Sequence, residues 1–553
     1  MSTTSIELIY QTISRAFASL GYNIHKDFND INELIQQIIL ADNSLTKDEK
    51  IKAIEIINKN HDSCKILFNV GTKRICENCN QECLATLYCE NCIRNYLKSN
   101  FSNWTSKNVN IDNFIQKCQM ETLKPNGIVE WIPYNNLQNI KYFTKGGFSE
   151  IYTADWIGGW YNEWNSKNQQ LERVKEPRIQ NNIGKVILKK LENVENASQN
   201  WFEEAKLHLT ITNKYPRIAN CFGLTQSPLN GNYMLVMKKF DTNLRNYLQQ
   251  NHNQLTWKER IRITIEITEA LGWIHKYENS VYRDMHSGNI LYSQYTDNWC
   301  ISDFGFCGPV DKSLNSIYGN LPYIAPEVIA GRKYSFSSDI YSIAIIMWEI
   351  SFGKPPFNNY EHNYYLAMNI INGIRPKIVS GTPLKYKELI KQCWDADPLK
   401  RPDDYTLGVK INEINVSYQN MPNELGVDNN NLKVSNLGIN YTRHGSFTSK
   451  VHQFENFPEP KNATEEEQEV FHSKPYDFSI STNHIDDFNN LNDQNYVDVS
   501  KTNSISIDTN NNHKIEKIQP IKRHTITIYD KDDEIYNNPN LHPENDDFEI
   551  PDG

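Results

Sequence analysis

Tyr282-Arg-Asp-Met-His-Ser-Gly-Asn289-Ile-Leu291, followed after a short apolar run by Ser302-Asp-Phe-Gly305, decides how this chain is read. Asp284, Asn289 and Asp303 are close enough in sequence for a loop–strand–loop to bring their side chains together. Magnesium takes hard oxygen ligands and keeps company with phosphates, so Asn289 and Asp303 are candidate Mg²⁺ ligands and Asp284 is left as a candidate base. Upstream, Val186-Ile-Leu-Lys189 puts an ammonium on a predicted strand among apolar neighbours, where burial demands a counter-charge or a phosphate. Glu204, in the helical stretch Trp201-Phe-Glu-Glu-Ala-Lys-Leu-His208, is the natural counter-ion. Further upstream, Lys145-Gly-Gly-Phe-Ser-Glu-Ile151 joins two predicted strands by a turn through which backbone N–H groups can approach a polyphosphate, with Phe148 at its tip.

The surroundings set the fold class. Ile140–Phe143, Ile151–Ala154 and Lys185–Lys189 have strand character, and a polar insertion at about 157–182 carries Trp160 and Trp164 one helical turn apart. Beyond about residue 200 helical periodicity dominates; Ile261–His275 is one clear segment, and Asp339–Phe352 is apolar almost all round and therefore predicted to be buried. Strands first and helices after imply an α+β body with a sheet-rich lobe and a helix-rich lobe.

The ordered set of Gly-containing turn, Val-Ile-Leu-Lys189, helix Glu204, Tyr282-Arg-Asp284 with Asn289 five residues later, Asp303-Phe-Gly305 and Ala325-Pro-Glu327 resembles the eukaryotic protein kinases. The likeness runs on through Ser338-Asp-Ile-Tyr-Ser342 to Cys393-Trp-Asp-Ala-Asp-Pro-Leu-Lys-Arg-Pro402, covers residues 138–415, and is nearest in flavour to the tyrosine-kinase-like group, Ser/Thr type. It implies a two-lobed fold, with an antiparallel sheet plus one helix in the first lobe and mainly helices in the second. It also implies ATP and Mg²⁺ as cofactors and a protein substrate. Lys189 would hold the α- and β-phosphates and pair with Glu204, Asp284 would accept the substrate hydroxyl's proton, and Asn289 and Asp303 would bind Mg²⁺. Thr144, Lys145, Gly146, Gly147, Phe148 and Ser149 would cover the nucleotide. Adenine would lie between Ile151 and Ile187 above and Leu291 below, with backbone bonds from Met237–Phe240 and Met237 at the back. Asp339 and the Glu327–Arg401 pair match structural positions of the helical lobe.

The departures are informative. The family's three turn glycines stand here as Thr144, Gly146 and Ser149, a stiffer loop. Tyr282 replaces the usual His, and His286 stands where the Ser/Thr enzymes carry a Lys that contacts the γ-phosphate; an imidazole there is charged only near or below about pH 6.5, which makes a pH-sensitive rate conceivable. His286 also fits the small-molecule phosphotransferases that share the fold, and the altered turn fits a scaffold without catalysis; both stand as alternatives to an active protein kinase. Ser313, Ser316 and Tyr318 are candidate activating phosphorylation positions, with Arg283 to receive the phosphate.

Cys76-x-x-Cys79 and Cys89-x-x-Cys92 have the spacing of two knuckles around one structural Zn²⁺, with Cys83 as a spare and Cys64 and Cys118 as core. Residues 1–62 read as helices with apolar stripes at Ile6, Ile9, Ile13 and Phe17, Leu34 to Ile39, and Ile51, Ile54 and Ile57; Thr46 and Glu49 have capping-box spacing. The expected division is therefore 1–62 helical, 63–100 Cys-rich zinc-binding, 101–137 connecting helix and linker, 138–415 kinase-like, and 416–553 an acidic, Asn-rich, disordered tail. From Met421 to Gly553 there are 24 acidic and 11 basic residues, so the net charge of −10 over all 553 residues comes from the tail and leaves the remainder slightly basic. A near-neutral body argues against nucleic-acid binding. Without an apolar run of about 18 residues or a signal-peptide pattern, the expectation is a cytoplasmic chain, a nuclear one being compatible, with a regulatory protein partner acting through the N-terminal region.

Overall fold

The computed structural model describes residues 3–20, 28–146, 149–174, 184–191, 201–311, 317–419, 448–454 and 457–473. Met1–Pro475 forms one compact unit; the second, Tyr476–Gly553, lies outside the described residues.

Helices α1 (Thr3–Leu20), α2 (Phe28–Ala41) and α3 (Lys47–Phe68) pack against one another around Ile9, Ile13, Ile35, Ile39, Ala53 and Ile57, while Phe17 and Ile51 of the predicted stripes stay exposed. The capping box that starts α3 is present: the Glu49 N–H donates to Thr46 Oγ1 and the Thr46 N–H to Glu49 Oε2. The bundle also docks on the helical lobe, where Arg262 donates to Ser14 Oγ at 3.0 Å and Asn415 to the Ala18 carbonyl at 2.9 Å.

The Cys-rich module is a short hairpin, β1 (Arg74–Ile75) and β2 (Glu82–Cys83), followed by α4 (Glu90–Ser99) and α5 (Val109–Met120). Its cations are engaged locally. Arg74 donates to the Ala85 and Tyr88 carbonyls, Arg94 to the Thr122 carbonyl, and Lys73 pairs with Glu82.

The sheet lobe comprises β3 (Glu130–Trp131), β4 (Leu137–Lys145), β5 (Glu150–Trp156), β8 (Lys185–Lys190), β9 (Cys221–Gln226) and β10 (Tyr233–Lys238), in the order β3-β9-β10-β8-β5-β4, with α6 (Trp201–Ile211) packed on it. Strand alternation sorts β8: Val186 and Leu188 join Trp156, Phe222 and Val236 on one face, leaving Ile187 and Lys189 on the other. Between β5 and β8 the described part of the insertion is a hairpin, β6 (Tyr161–Asn165) and β7 (Gln170–Arg173). Trp160 stacks on Phe222 at 4.7 Å and Trp164 meets Tyr96 edge-on at 5.9 Å, so the hairpin ties sheet lobe to Cys-rich module.

The helical lobe begins with β11 (Thr242–Asn243), α7 (Leu244–Asn251) and α8 (Trp257–Glu278). Then come the short strands β12 (Ser280–Val281), β13 (Ile290–Ser293), β14 (Asn298–Ile301), β15 (Gly308–Pro309) and β16 (Ile317–Gly319). Helices α9 (Pro326–Ile329), α10 (Phe336–Phe352), α11 (Tyr364–Ile371), α12 (Leu384–Cys393) and α13 (Asp404–Gln419) complete it. Every residue of α10 from Ser338 to Ser351 is buried, as its all-round apolar pattern predicts. Among the described residues no helix is long and apolar enough to cross a membrane.

The tail requires a correction. Residues 448–454 and 457–473, expected to be disordered, are ordered against the helical lobe: β17 (Lys450–His452) pairs antiparallel with β16, and α14 (Glu465–Ser473) follows. Widely spaced aromatics do what average composition hides, Phe457 stacking on Tyr364 at 5.0 Å and Phe471 on Tyr360 at 5.4 Å. Gly373, at φ +91°, admits the chain where a Cβ would collide with Ala463 N and Lys461 O. Helix α13 also carries the lobe to Gln419, past the expected boundary at 415. The rest of the expected tail, with Ser313 and Ser316, lies outside the described residues.

Candidate active site

Lys189 sits on β8 opposite Ile151 of β5 and Leu235 of β10, so its side chain leaves the sheet on the face toward the helical lobe. Its Nζ donates to Glu204 Oε1 and to Asp303 Oδ1, both at 2.7 Å. Burial alone would push the lysine pKa down; Asp303 and Glu204 outweigh it and hold the ammonium above its usual value. Burial likewise opposes ionisation of Asp303, yet Lys189 brings its carboxyl down to about 2.

The loop that carries Asp284 is held from below. The buried Asp339 carboxylate, from the first turn of α10, accepts the Tyr282 N–H at 2.7 Å, the Arg283 N–H at 2.9 Å and His275 Nε2 at 2.8 Å. These bonds hold Arg283 at φ +72°; Asp303, likewise in the left-handed region, stands at φ +59°. Such conformations cost about 1–3 kcal/mol each and persist where the surroundings impose them. The Ser302 N–H and hydroxyl both donate to the Asn289 carbonyl at 2.9 Å, which sets Asn289 beside Asp303. Asn289 Nδ2 donates to the Asp284 carbonyl at 3.0 Å and to its carboxylate at 3.2 Å. Burial raises the Asp284 carboxyl to about 8, against the lowering by hydrogen bonds from Ser449 and Asn289. A carboxyl poised near neutral pH is matched to proton acceptance.

Ser449, just before β17, is 6% exposed and donates its hydroxyl to Asp284 Oδ1 at 2.6 Å. His286 Nε2 lies 3.0 Å from Ser449 Oγ, while its Nδ1 accepts the Gly288 N–H at 3.0 Å. That bond leaves the ring proton on Nε2, so His286 donates to Ser449 Oγ. Burial, with Arg245 nearby, brings the His286 pKa down to about 3; the imidazole is an uncharged donor and not a pH-sensitive cation.

Met237 is buried in a cluster with Ile187, Phe240 and Leu291 packed against it, and Ile151 lies on the same sheet face as Ile187. Thr144 pairs with Ile151 and Lys145 with Glu150 across the β4–β5 hairpin, while the Gly146 N–H donates to the Ser149 carbonyl at 2.8 Å. Gly147 and Phe148 lie outside the described residues. Tyr318 is buried in β16, and Arg283 donates to the Phe306 and Pro309 carbonyls.

Sequence reasoning missed two residues. His208, one turn after Glu204, accepts the Phe304 N–H at 3.1 Å and so positions Asp303-Phe-Gly305; the four-residue step from Glu204 was its signal. Ser449 had none.

In the Cys-rich module the four predicted ligands converge, with Cys76 Sγ 3.6 Å from Cys92 Sγ and Cys79 Sγ 3.7 Å from Cys89 Sγ. A tetrahedral Zn²⁺ with bonds of about 2.3 Å needs sulfurs about 3.8 Å apart, so the set fits that ion. Against burial, backbone N–H groups of Cys79 and Asn78 bring the Cys76 thiol down to about 6, while burial pushes Cys92 up to about 12. A cation at the centre would let all four thiols ionise at such distances. Cys83 is buried beside Cys89 and Glu90.

Residues 137–410 match the family described as protein tyrosine and serine/threonine kinase. Among curated proteins, the chain is 29% identical over 316 residues to the probable serine/threonine-protein kinase roco5 of Dictyostelium discoideum, covering 53% of this chain and 10% of that one. It is 31% identical over 195 residues to the dual specificity protein kinase zakA of the same organism, covering 32% of this chain and 25% of that one. It is 34% identical over 170 residues to the putative serine/threonine-protein kinase/receptor R818 of Acanthamoeba polyphaga mimivirus, covering 30% of this chain and 10% of that one. The chain thus spans a quarter or less of the length of these relatives.

Proposed function

The chain belongs, through residues 137–410, to the protein kinases, and we propose that it transfers the γ-phosphoryl group of ATP to Ser or Thr of protein substrates. The observation that carries this reading is the seating of Ser449: an aliphatic hydroxyl donating at 2.6 Å to Asp284, on a strand whose register is fixed by β16. At that depth a short side chain reaches the carboxylate and a tyrosine would overshoot, which supports Ser/Thr over Tyr. It also speaks against a small-molecule substrate, because the acceptor groove takes a peptide by strand addition.

The mechanism follows from the residues. ATP supplies the phosphoryl group, and Mg²⁺ held by Asn289 and Asp303 would neutralise phosphate charge. Lys189, itself positioned by Glu204, is the fixed cation for the phosphates. Asp284 takes the acceptor's proton as its oxygen attacks, and His286 Nε2–H orients that oxygen. His208 and Asp339 act at one remove, by fixing the backbones that carry Asp303 and Asp284. The test is labelled γ-phosphate in a generic protein acceptor: wild type should transfer it, and Lys189→Met should lose at least a hundredfold.

A Zn²⁺ held by Cys76, Cys79, Cys89 and Cys92 would staple a module too small for a core of its own. Purified protein is expected to contain one zinc per chain, and Cys89→Ser to lose it and become sensitive to proteolysis within residues 63–100. Zinc-free protein with an unchanged digestion pattern would contradict this. The N-terminal helices and this module are the part a regulatory protein partner would address, with Leu40, Ile51 and Ile75 exposed there. The cytoplasm is the compartment this reading favours, because the four thiols converging at Cys76, Cys79, Cys89 and Cys92 stay reduced there.

A further inference from the structure

We infer that Ser449 is this chain's own phosphoacceptor, phosphorylated within the molecule, and that the phosphate then expels the segment from the acceptor groove; this rests on the kinase reading above. Four observations converge. First, the Ser449 hydroxyl is oriented at both ends, its proton toward Asp284 Oδ1 and its oxygen toward His286 Nε2–H. Second, the chain around it is held as a peptide acceptor would be, by pairing of Ile317–Gly319 with Lys450–His452 and by His452 Nε2 donating to the Gly319 carbonyl at 3.1 Å. Third, Lys450 Nζ donates to the His362 carbonyl at 3.2 Å, and beyond β17 the segment is anchored where Gln468 donates to the Gly373 carbonyl at 2.7 Å and the Lys461 N–H to the Ile371 carbonyl at 3.0 Å. Fourth, acceptor and base belong to one compact unit, so encounter needs no second molecule.

The step balances with ATP as the only co-reactant. The Ser449 Oγ–Pγ bond forms, the bond from Pγ to the bridging oxygen breaks, ADP leaves with that electron pair, and the hydroxyl proton passes to Asp284. The product places a phosphate carrying close to two negative charges beside the Asp284 carboxylate in a buried site, an arrangement that like-charge repulsion and desolvation oppose. The strand must therefore leave, and the groove opens to other substrates.

The test incubates full-length protein with ATP-Mg²⁺ at several protein concentrations and follows Ser449 phosphate by mass spectrometry, with labelling of a generic protein acceptor in parallel. The expected result is one phosphate on Ser449, formed at a rate per molecule independent of protein concentration, with acceptor labelling rising as it accumulates. His452→Pro removes the imidazole bond and puts a residue without an N–H into the strand; it should slow Ser449 phosphorylation at least tenfold while acceptor labelling persists from the start. Acceptor labelling with Ser449 unmodified overturns the inference and leaves the kinase reading intact, as does a rate proportional to protein concentration for the cis step. Absence of label on every protein, in wild type and in His452→Pro, overturns both.

Discussion

Replacing Asp284 by Asn is expected to lower phosphoryl transfer about 10²- to 10⁴-fold, the range for loss of a positioned proton acceptor. Nucleotide affinity should hold within severalfold, because Lys189 and Glu204 are untouched. The amide has the carboxylate's shape, and the site's burial opposes a charge there, so the unfolding temperature should stay level or rise. Turnover with a protein acceptor, nucleotide titration and calorimetry on the same preparation separate these effects. A variant that keeps full turnover would remove Asp284 from the chemistry; one that loses turnover by unfolding would make its role structural.

The second large effect concerns stability. Arg401 donates through both terminal nitrogens, at 2.8 Å each, to the two carboxylate oxygens of Glu327, and the pair is almost completely buried. Arg401→Ala leaves Glu327 as a buried charge without its cation and should cost about 3–5 kcal/mol. Because Glu327 lies in the first turn of α9, a short stretch beyond the β16 strand that pairs with β17, loss of the acceptor groove should accompany the loss of stability. The double substitution Glu327→Leu with Arg401→Met removes both charges and should recover part of the deficit. Lys391→Ala, which breaks the exposed pair with Glu465, should change stability by less than about 1 kcal/mol. Denaturant midpoints of the three variants test the ordering, and an Arg401→Ala midpoint equal to that of Lys391→Ala would contradict it.

The residues most legible in the sequence were those whose chemistry and spacing agree. Lys189 and Glu204 needed each other once a strand and a helix were read; Asp284, Asn289 and Asp303 needed only a tight loop around β13 and β14. The Thr46–Glu49 cap and buried α10 were equally readable, because both are local patterns. What escaped was long-range. Strand β17 has three residues, too few for any periodicity, and its partner β16 is more than 130 positions away. The aromatics that anchor the tail segment are scattered through an Asn- and Glu-rich run, so mean composition pointed to disorder. Trp160 and Trp164 stood at a helical step, yet Trp164 belongs to a hairpin strand. His286 was read by its solution pKa, and burial beside Arg245 is a property of the fold alone.

The most direct test of the central claim is phosphoamino-acid analysis after incubation with γ-labelled ATP-Mg²⁺, with wild type and Asp284→Asn side by side. The account predicts phosphoserine and phosphothreonine in wild type, with label nearly abolished in the variant. Phosphotyrosine alone, or protein that binds nucleotide yet carries no label in either form, would contradict it.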